Sequence, residues 1–316
     1  MRLPLALAPS SSRPIDFLAI GENSLDRVCV CPSFPVSDSK QALHEYMELP
    51  GGQAATAAVA CARLGFRSAY LGVCGNDAAG RQVADALAHE KVQARIIVRP
   101  GATTRTAVIL VDASSGRRAV LAVHGDGLGF DESLLDDSLF SSSRILLVDG
   151  TDPRFARRVA RAARAAGVRT LCDVDEPTSE VLALLCEIDV VIAPAGFVRS
   201  ATGCENPKAG VEALAAETGA AAVVATAGED GVSAWCAGEF VTVAAHPIRA
   251  VDTTGAGDAF RGGFAAAWLS SRSDEPDLRP ILQFAAKVAA LNCSQYGAQT
   301  GLPGLADLGL PPESRV

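Results

Sequence analysis

The stretch Val251-Asp252-Thr253-Thr254-Gly255-Ala256-Gly257-Asp258-Ala259-Phe260-Arg261-Gly262-Gly263 reads as a loop that runs into a helix. Gly255 and Gly257 permit backbone conformations that other residues avoid, and they let another group approach the main chain closely. Beyond Gly257, residues Phe260, Phe264, Ala267 and Trp268 recur at helical spacing. The first turn of such a helix points free N–H groups back at the Gly-Ala-Gly loop. Those amides and the positive end of the helix dipole make an anion site. Asp258 sits inside it, where the dipole is expected to lower its pKa and keep it ionised. An anion hole beside a fixed carboxylate suits phosphoryl transfer to an alcohol, because the carboxylate can take the hydroxyl proton. Taken alone, a glycine-rich loop before an ordinary N-terminal Asp explains the same residues.

The rest of the chain alternates short apolar runs with helical patterns. Strands are expected at 15–20, 69–73, 145–148, 170–173, 190–192 and 222–225. Helices are expected at 53–64, 78–90, 155–166, 179–186, 207–218 and 281–296. This order predicts an α/β fold with a mainly parallel central sheet and helices on both faces. Runs at 96–98, 106–112 and 119–123 read as an antiparallel group apart from that sheet, and 43–49 as a further strand. Polar residues at strand C-termini are where open α/β sheets gather ligand groups. Asp26 is a substrate candidate on that ground; a loop Asp capping its own backbone is the alternative. Asp149, Asp173 and Asp175 hold comparable positions, either lining a cleft or capping the next helix. Residues 1–14 read as a disordered tail.

The run from Asp252 to Asp258 resembles, without a break, the second signature of the ribokinase-like (PfkB) carbohydrate kinases, Asp-Thr-x-Gly-Ala-Gly-Asp. Pro50-Gly51-Gly52-Gln53-Ala54-Ala55-Thr56-Ala57-Ala58, continuing to Gly65, resembles the first signature of the same kinases. Its wording is similar to the branch near ketohexokinase and sulfofructose kinase. The resemblance implies a single ribokinase-like domain over 15–305, a β lid from about 34–50 and 96–124, and a C-terminal tail at 306–316. It implies an ATP-dependent sugar kinase using Mg2+, with K+ near Asp252 and Thr254, that pairs as a homodimer through the lid. It gives Asp258 the role of general base, and the amides of Gly255, Ala256 and Gly257 that of anion hole. Asp26, Asp38, Gly51, Gly52, Gln53 and Thr56 fall to the sugar. Thr226, Gly228, Gly231, Asn292 and Arg118 fall to the nucleotide. The turn at Thr226-Ala227-Gly228-Glu229-Asp230-Gly231 is equally a plain hairpin connection, and Arg118 equally an edge-strand charge.

Two departures limit what carries over. Many members of the family have Asn where this chain has Gln53 or Thr56, so the sugar of better-known members does not transfer. Ile192-Ala193-Pro194-Ala195-Gly196-Phe197-Val198 lacks the family's Asn-x-x-Glu, which leaves magnesium mainly to the nucleotide phosphates and water.

A formal charge of −8 argues against nucleic acid or an anionic membrane as the partner. No stretch is long and apolar enough to span a bilayer. The nine cysteines are scattered without Cys-x-x-Cys spacing, which fits a reduced cytoplasm rather than a disulfide framework or a zinc site. A Rossmann oxidoreductase is disfavoured, because Phe260 stands where that fingerprint needs its third Gly. No P-loop Lys motif occurs either. The non-enzymatic alternative is a sugar- or nucleotide-sensing protein on a kinase fold, which intact Asp258 argues against.

Overall fold

The computed structural model describes residues 1–311. Its strands are β1 (Ile15–Ile20), β2 (Ser24–Cys31), β3 (Glu45–Gly51), β4 (Ser68–Gly75), β5 (Gln93–Arg99), β6 (Thr106–Asp112) and β7 (Arg118–Val123). They continue as β8 (Ser143–Asp149), β9 (Arg169–Asp173), β10 (Val190–Pro194), β11 (Ala222–Thr226), β12 (Val232–Cys236) and β13 (Glu239–Val243). The helices are α1 (Gln53–Arg63), α2 (Ala78–His89), α3 (Asp137–Ser141), α4 (Pro153–Ala165) and α5 (Ser179–Leu185). After them come α6 (Ala195–Thr202), α7 (Pro207–Thr218), α8 (Ala256–Ser270) and α9 (Leu278–Asn292).

A nine-stranded sheet runs in the order β13-β12-β11-β10-β9-β8-β1-β4-β5. From β11 to β5 neighbouring strands are parallel, and β12 and β13 add an antiparallel hairpin at one edge. The interior strand β1 is buried along its whole length. Phe17 and Ala19 join one hydrophobic cluster, with residues of α1, α2, α8 and α9; Leu18 and Ile20 join the other, with residues of α4 to α7. Alternate burial on both faces is the signature of a parallel sheet between two helix layers. A second sheet, β3-β2-β6-β7, stands apart as the lid.

Three expectations change. Ile96–Val98 does not belong to the lid: β5 pairs parallel with β4 as an edge strand of the main sheet. In its place β2 forms the lid's inner strand, between β3 and β6. The sequence hid it because Asp26 and Arg27 interrupt its apolar pattern directly after a Gly-Glu-Asn turn. The first fourteen residues are not a free tail. Leu3 is fully buried, its N–H donates to the Pro276 carbonyl, and Arg2 bridges to Asp277. Burial of Leu3 and Leu5 supplies the apolar contact that orders the segment. Of the C-terminal tail expected at 306–316, residues 312–316 lie outside the described residues.

Candidate active site

Helix N-termini reveal where the fold keeps donors free. Side chains cap α2, α4, α5, α7 and α9 through Asp77, Asp152, Thr178, Asn206 and Asp277. No side chain caps α1, α6 or α8. The residues preceding those three helices, Gly52, Pro194 and Gly255, all line one cleft of about 2080 Å³ between the main sheet and the lid. Uncapped N-termini leave amides and dipole available to an anion. Gly255 must be glycine on two counts. Its φ is +72°, and a Cβ would lie 2.6 Å from the Ala298 carbonyl oxygen.

Asp258 lies in the first turn of α8 and lines the same cleft as Asp26, Gln53, Glu22, Asp173 and Asp175. Its carboxyl faces that of Asp173, and both have their pKa raised. The expectation of a lowered pKa is overturned. Burial raises Asp258 to about 6, against the opposing charge of Arg261. Desolvation outweighs the helix dipole here. Burial likewise raises Asp26 to about 6, although the Ser24 hydroxyl donates to it at 2.7 Å. Burial raises Glu22 to about 8, with the Asp149 charge adding to it.

Most of the expected residues converge. Asp26, on β2, is 4% exposed and packs on Gly51, where a Cβ would sit 2.1 Å from its Oδ2. Gln53 donates its amide to Asp175 at 2.6 Å and to Asp173 at 3.3 Å. Thr226, Gly228 and Gly231 line the cleft as well. Arg118 reaches from β7 to the Thr253 hydroxyl. Ala256 and Gly257 complete the loop beneath it.

Four expected residues do not line the cleft, the first of them Gly51, which is buried behind the Asp26 carboxyl. Thr56 is fully buried and accepts from the Gln299 amide at 3.2 Å, because its position on α1 faces the core. Asn292 is fully buried and donates to the carbonyls of Thr254 and Ala298, so it braces the loop instead of meeting a nucleotide. Asp38 stands exposed on the loop after β2 and is not part of the cleft lining. Asp252, proposed beside a cation, clasps the loop: Oδ1 accepts from the Thr254 amide and hydroxyl and Oδ2 from the Gly297 amide. Among the described residues no three His, Cys, Asp or Glu side chains converge as a metal set.

Sequence reasoning missed Glu22, Arg105 and Arg261. Arg105 is 7% exposed and 3.9 Å from Glu22. Arg261 is 2% exposed and 2.8 Å from Asp173. The signal for Arg261 was a lone charge on a helix apolar all round, Asp258-Ala259-Phe260-Arg261-Gly262-Gly263-Phe264. A charge so placed is buried and needs partners. Asp149 is resolved as a brace, accepting from the amides of Glu22 and Thr151.

The family profile described as pfkB family carbohydrate kinase matches residues 15–305. The chain belongs to that family. PfkB carbohydrate kinases are ATP-dependent phosphotransferases, so this chain is an enzyme of that class. It is 26% identical to a ribokinase of Haemophilus influenzae, over 90% of this chain and 94% of the other. It is also 26% identical to a nucleoside kinase of Methanothermobacter thermautotrophicus, over 91% of this chain and 92% of the other. An Arabidopsis thaliana ribokinase solved with ribose and ATP superposes with a TM-score of 0.78. At 24% identity, covering 93% of this chain and 97% of the other, it shares the ribokinase-like fold. Among the described residues no helix is long and apolar enough to cross a membrane.

Proposed function

We propose that this PfkB kinase transfers the γ-phosphoryl group of ATP to one hydroxyl of a small sugar. The observation that carries the reading is the placement of Asp258. It sits in the first turn of a helix with no side-chain cap, in the same cleft as Asp26 and Gln53. The hydroxyl gives its proton to the Asp258 carboxylate. Its oxygen bonds to the γ-phosphorus while the bond to the departing ADP oxygen breaks. The amides at Gly255, Ala256 and Gly257 face the charge on the transferring oxygens.

Asp26, Gln53 and Gly52 form the sugar end, and Thr226, Gly228 and Gly231 the nucleotide end, with Arg118 also on the cleft wall. A magnesium ion would ride on the nucleotide phosphates and neutralise them, as magnesium commonly does. K+ beside Asp252 and Thr254 rests on family membership. Exposed Phe34, Leu43, Tyr46 and Leu121 lie on the lid strands and their loops, outside the cleft lining, and support a homodimer through that sheet.

ADP release with a panel of neutral pentoses, hexoses and nucleosides tests the reading. Asp258→Asn keeps the shape and removes the proton acceptor, so kcat should fall about 10²–10⁴-fold. Nucleotide Kd by calorimetry should change little. An Asp258→Asn enzyme with most of the wild-type kcat would reduce Asp258 to a helix-terminal residue. Ligand binding without ADP release would favour a sensing role.

A further inference from the structure

The guanidinium of Arg261 is the best-anchored positive charge near Asp258, and its anchoring is lopsided. Nε donates to the Cys172 carbonyl at 3.3 Å and Nη2 to the Ile192 carbonyl at 2.9 Å. Nη2 also meets Asp173 Oδ1 at 2.8 Å. One face of the fork is thus fixed to the C-terminal ends of β9 and β10. Nη1 is different. It donates to no anchor among the described residues, yet it lies against the anion loop: a Cβ on Gly257 would be 2.8 Å from it. Helical side chains lean toward the N-terminus, which carries residue 261 back over residue 257. Arg261, Gly257 and Asp258 line the same cleft.

We propose that Arg261 is a further residue of the phosphoryl-transfer centre, holding Asp258 as a carboxylate and offering Nη1 to an oxygen of the transferring phosphoryl group. The inference rests on the kinase reading above. A buried, always-charged fork tied on one edge presents its other edge without reorganising when charge develops on the phosphoryl oxygens. The chain lacks the Asn-x-x-Glu segment between β10 and α6, and Arg261 sets a fixed positive charge at that same strand end. The other charges facing Asp258 are Asp173 and Asp175 at the end of β9, Glu22 between β1 and β2, and Arg118 on β7. Most are acidic, so removing Arg261 leaves Asp258 among like charges.

The experiment compares Arg261→Gln and Arg261→Lys with wild type, after a sugar giving ADP release has been found. Kinetics across pH, nucleotide Kd and Tm are measured for each. In Arg261→Gln, kcat should fall about 10²–10³-fold, as for loss of one donor to developing charge. The acid limb of kcat/KM should also move to higher pH. Arg261→Lys keeps the charge but loses the fork, so its acid limb should stay near wild type while kcat remains low. If Arg261→Gln does not fold, the low kcat and unmoved limb of Arg261→Lys stand as the test. A lowered Tm with kcat and acid limb near wild type in either variant would overturn the proposal and leave Arg261 structural. Absence of ADP release from wild type with every acceptor would instead sink the kinase reading itself.

Discussion

Asp26 shows how one residue combines a structural role with a place on the cleft wall. Its carboxyl is buried against Gly51, takes one hydrogen bond from Ser24, and still borders the cleft. A hydroxyl donating to it would form a charge-assisted bond, which is worth about 1.5–3 kcal/mol. Asp26→Ala should therefore raise the sugar KM roughly 10–100-fold by that figure. Nucleotide Kd should be unchanged; equal loss of nucleotide binding would make Asp26 a brace of the lid. Asp26 and Asp258 are both raised to about 6, and the proposed function uses both as carboxylates. Activity should then be present above that pH and drop as pH falls through it. A kcat/KM profile flat down to pH 5 would contradict the assignment. Gln53 adds a constraint on orientation. Carboxylates only accept, so its amide nitrogen must face Asp173 and Asp175, leaving its carbonyl oxygen for a substrate hydroxyl.

At the level of elements, α8 packs closely through two of its three glycines, Gly262 and Gly263. Gly262 lets α1 approach: a Cβ there would meet the Ala60 Cβ at 2.5 Å and the Ala57 carbonyl oxygen at 2.8 Å. Gly263 does the same for α9, where Val288 Cβ would be 2.9 Å away. The contact with α1 joins the helix that opens with Gln53 to the one that opens with Ala256 and carries Asp258. Gly262→Ala gains about 1 kcal/mol of helix propensity. It also forces a methyl against backbone that cannot yield, an overpacking cost of about 1–3 kcal/mol. The net should be destabilising, read as a lower denaturation midpoint, and kcat should fall as the two helices part. A midpoint above wild type would show that the helix pair can spread without cost.

Across the whole molecule, the cleft stores negative charge that the apo protein tolerates poorly. Glu22 has its pKa raised from 4.5 to about 8, so the folded chain binds a proton that the unfolded chain releases. Stability from this group is present below the unfolded pKa and is lost as pH rises toward 8. Asp26 and Asp258 act with the same sign up to about 6. Asp16 and Asp77 act oppositely: their pKa values are lowered, so their stabilisation is lost only as pH falls below the usual carboxylate range. The apo Tm should therefore decline between pH 5 and 8, and Glu22→Gln should flatten that decline. A Tm that rises through this range would refute the account.

The kinase loop, both glycine turns and the alternation of strands and helices were legible without coordinates, because each depends on residues close together in the chain. The Asp252–Asp258 run states its own backbone needs, and β6 and α7 fall at the bounds that periodicity gave, Thr106–Asp112 and Pro207–Thr218. What depended on distant residues was not legible. Whether Thr56 faced a sugar or the core was decided by Gln299, and Asn292 was claimed by Thr254 and Ala298. The edge strand β5 and the lid strand β2 changed places because pairing partners, more than local pattern, assign a strand to a sheet. The proton affinity of Asp258 was settled by the same means. The dipole of its helix is local, but the burial and the neighbouring Arg261, Asp173 and Asp175 that outweigh it exist only once the sheet has gathered them.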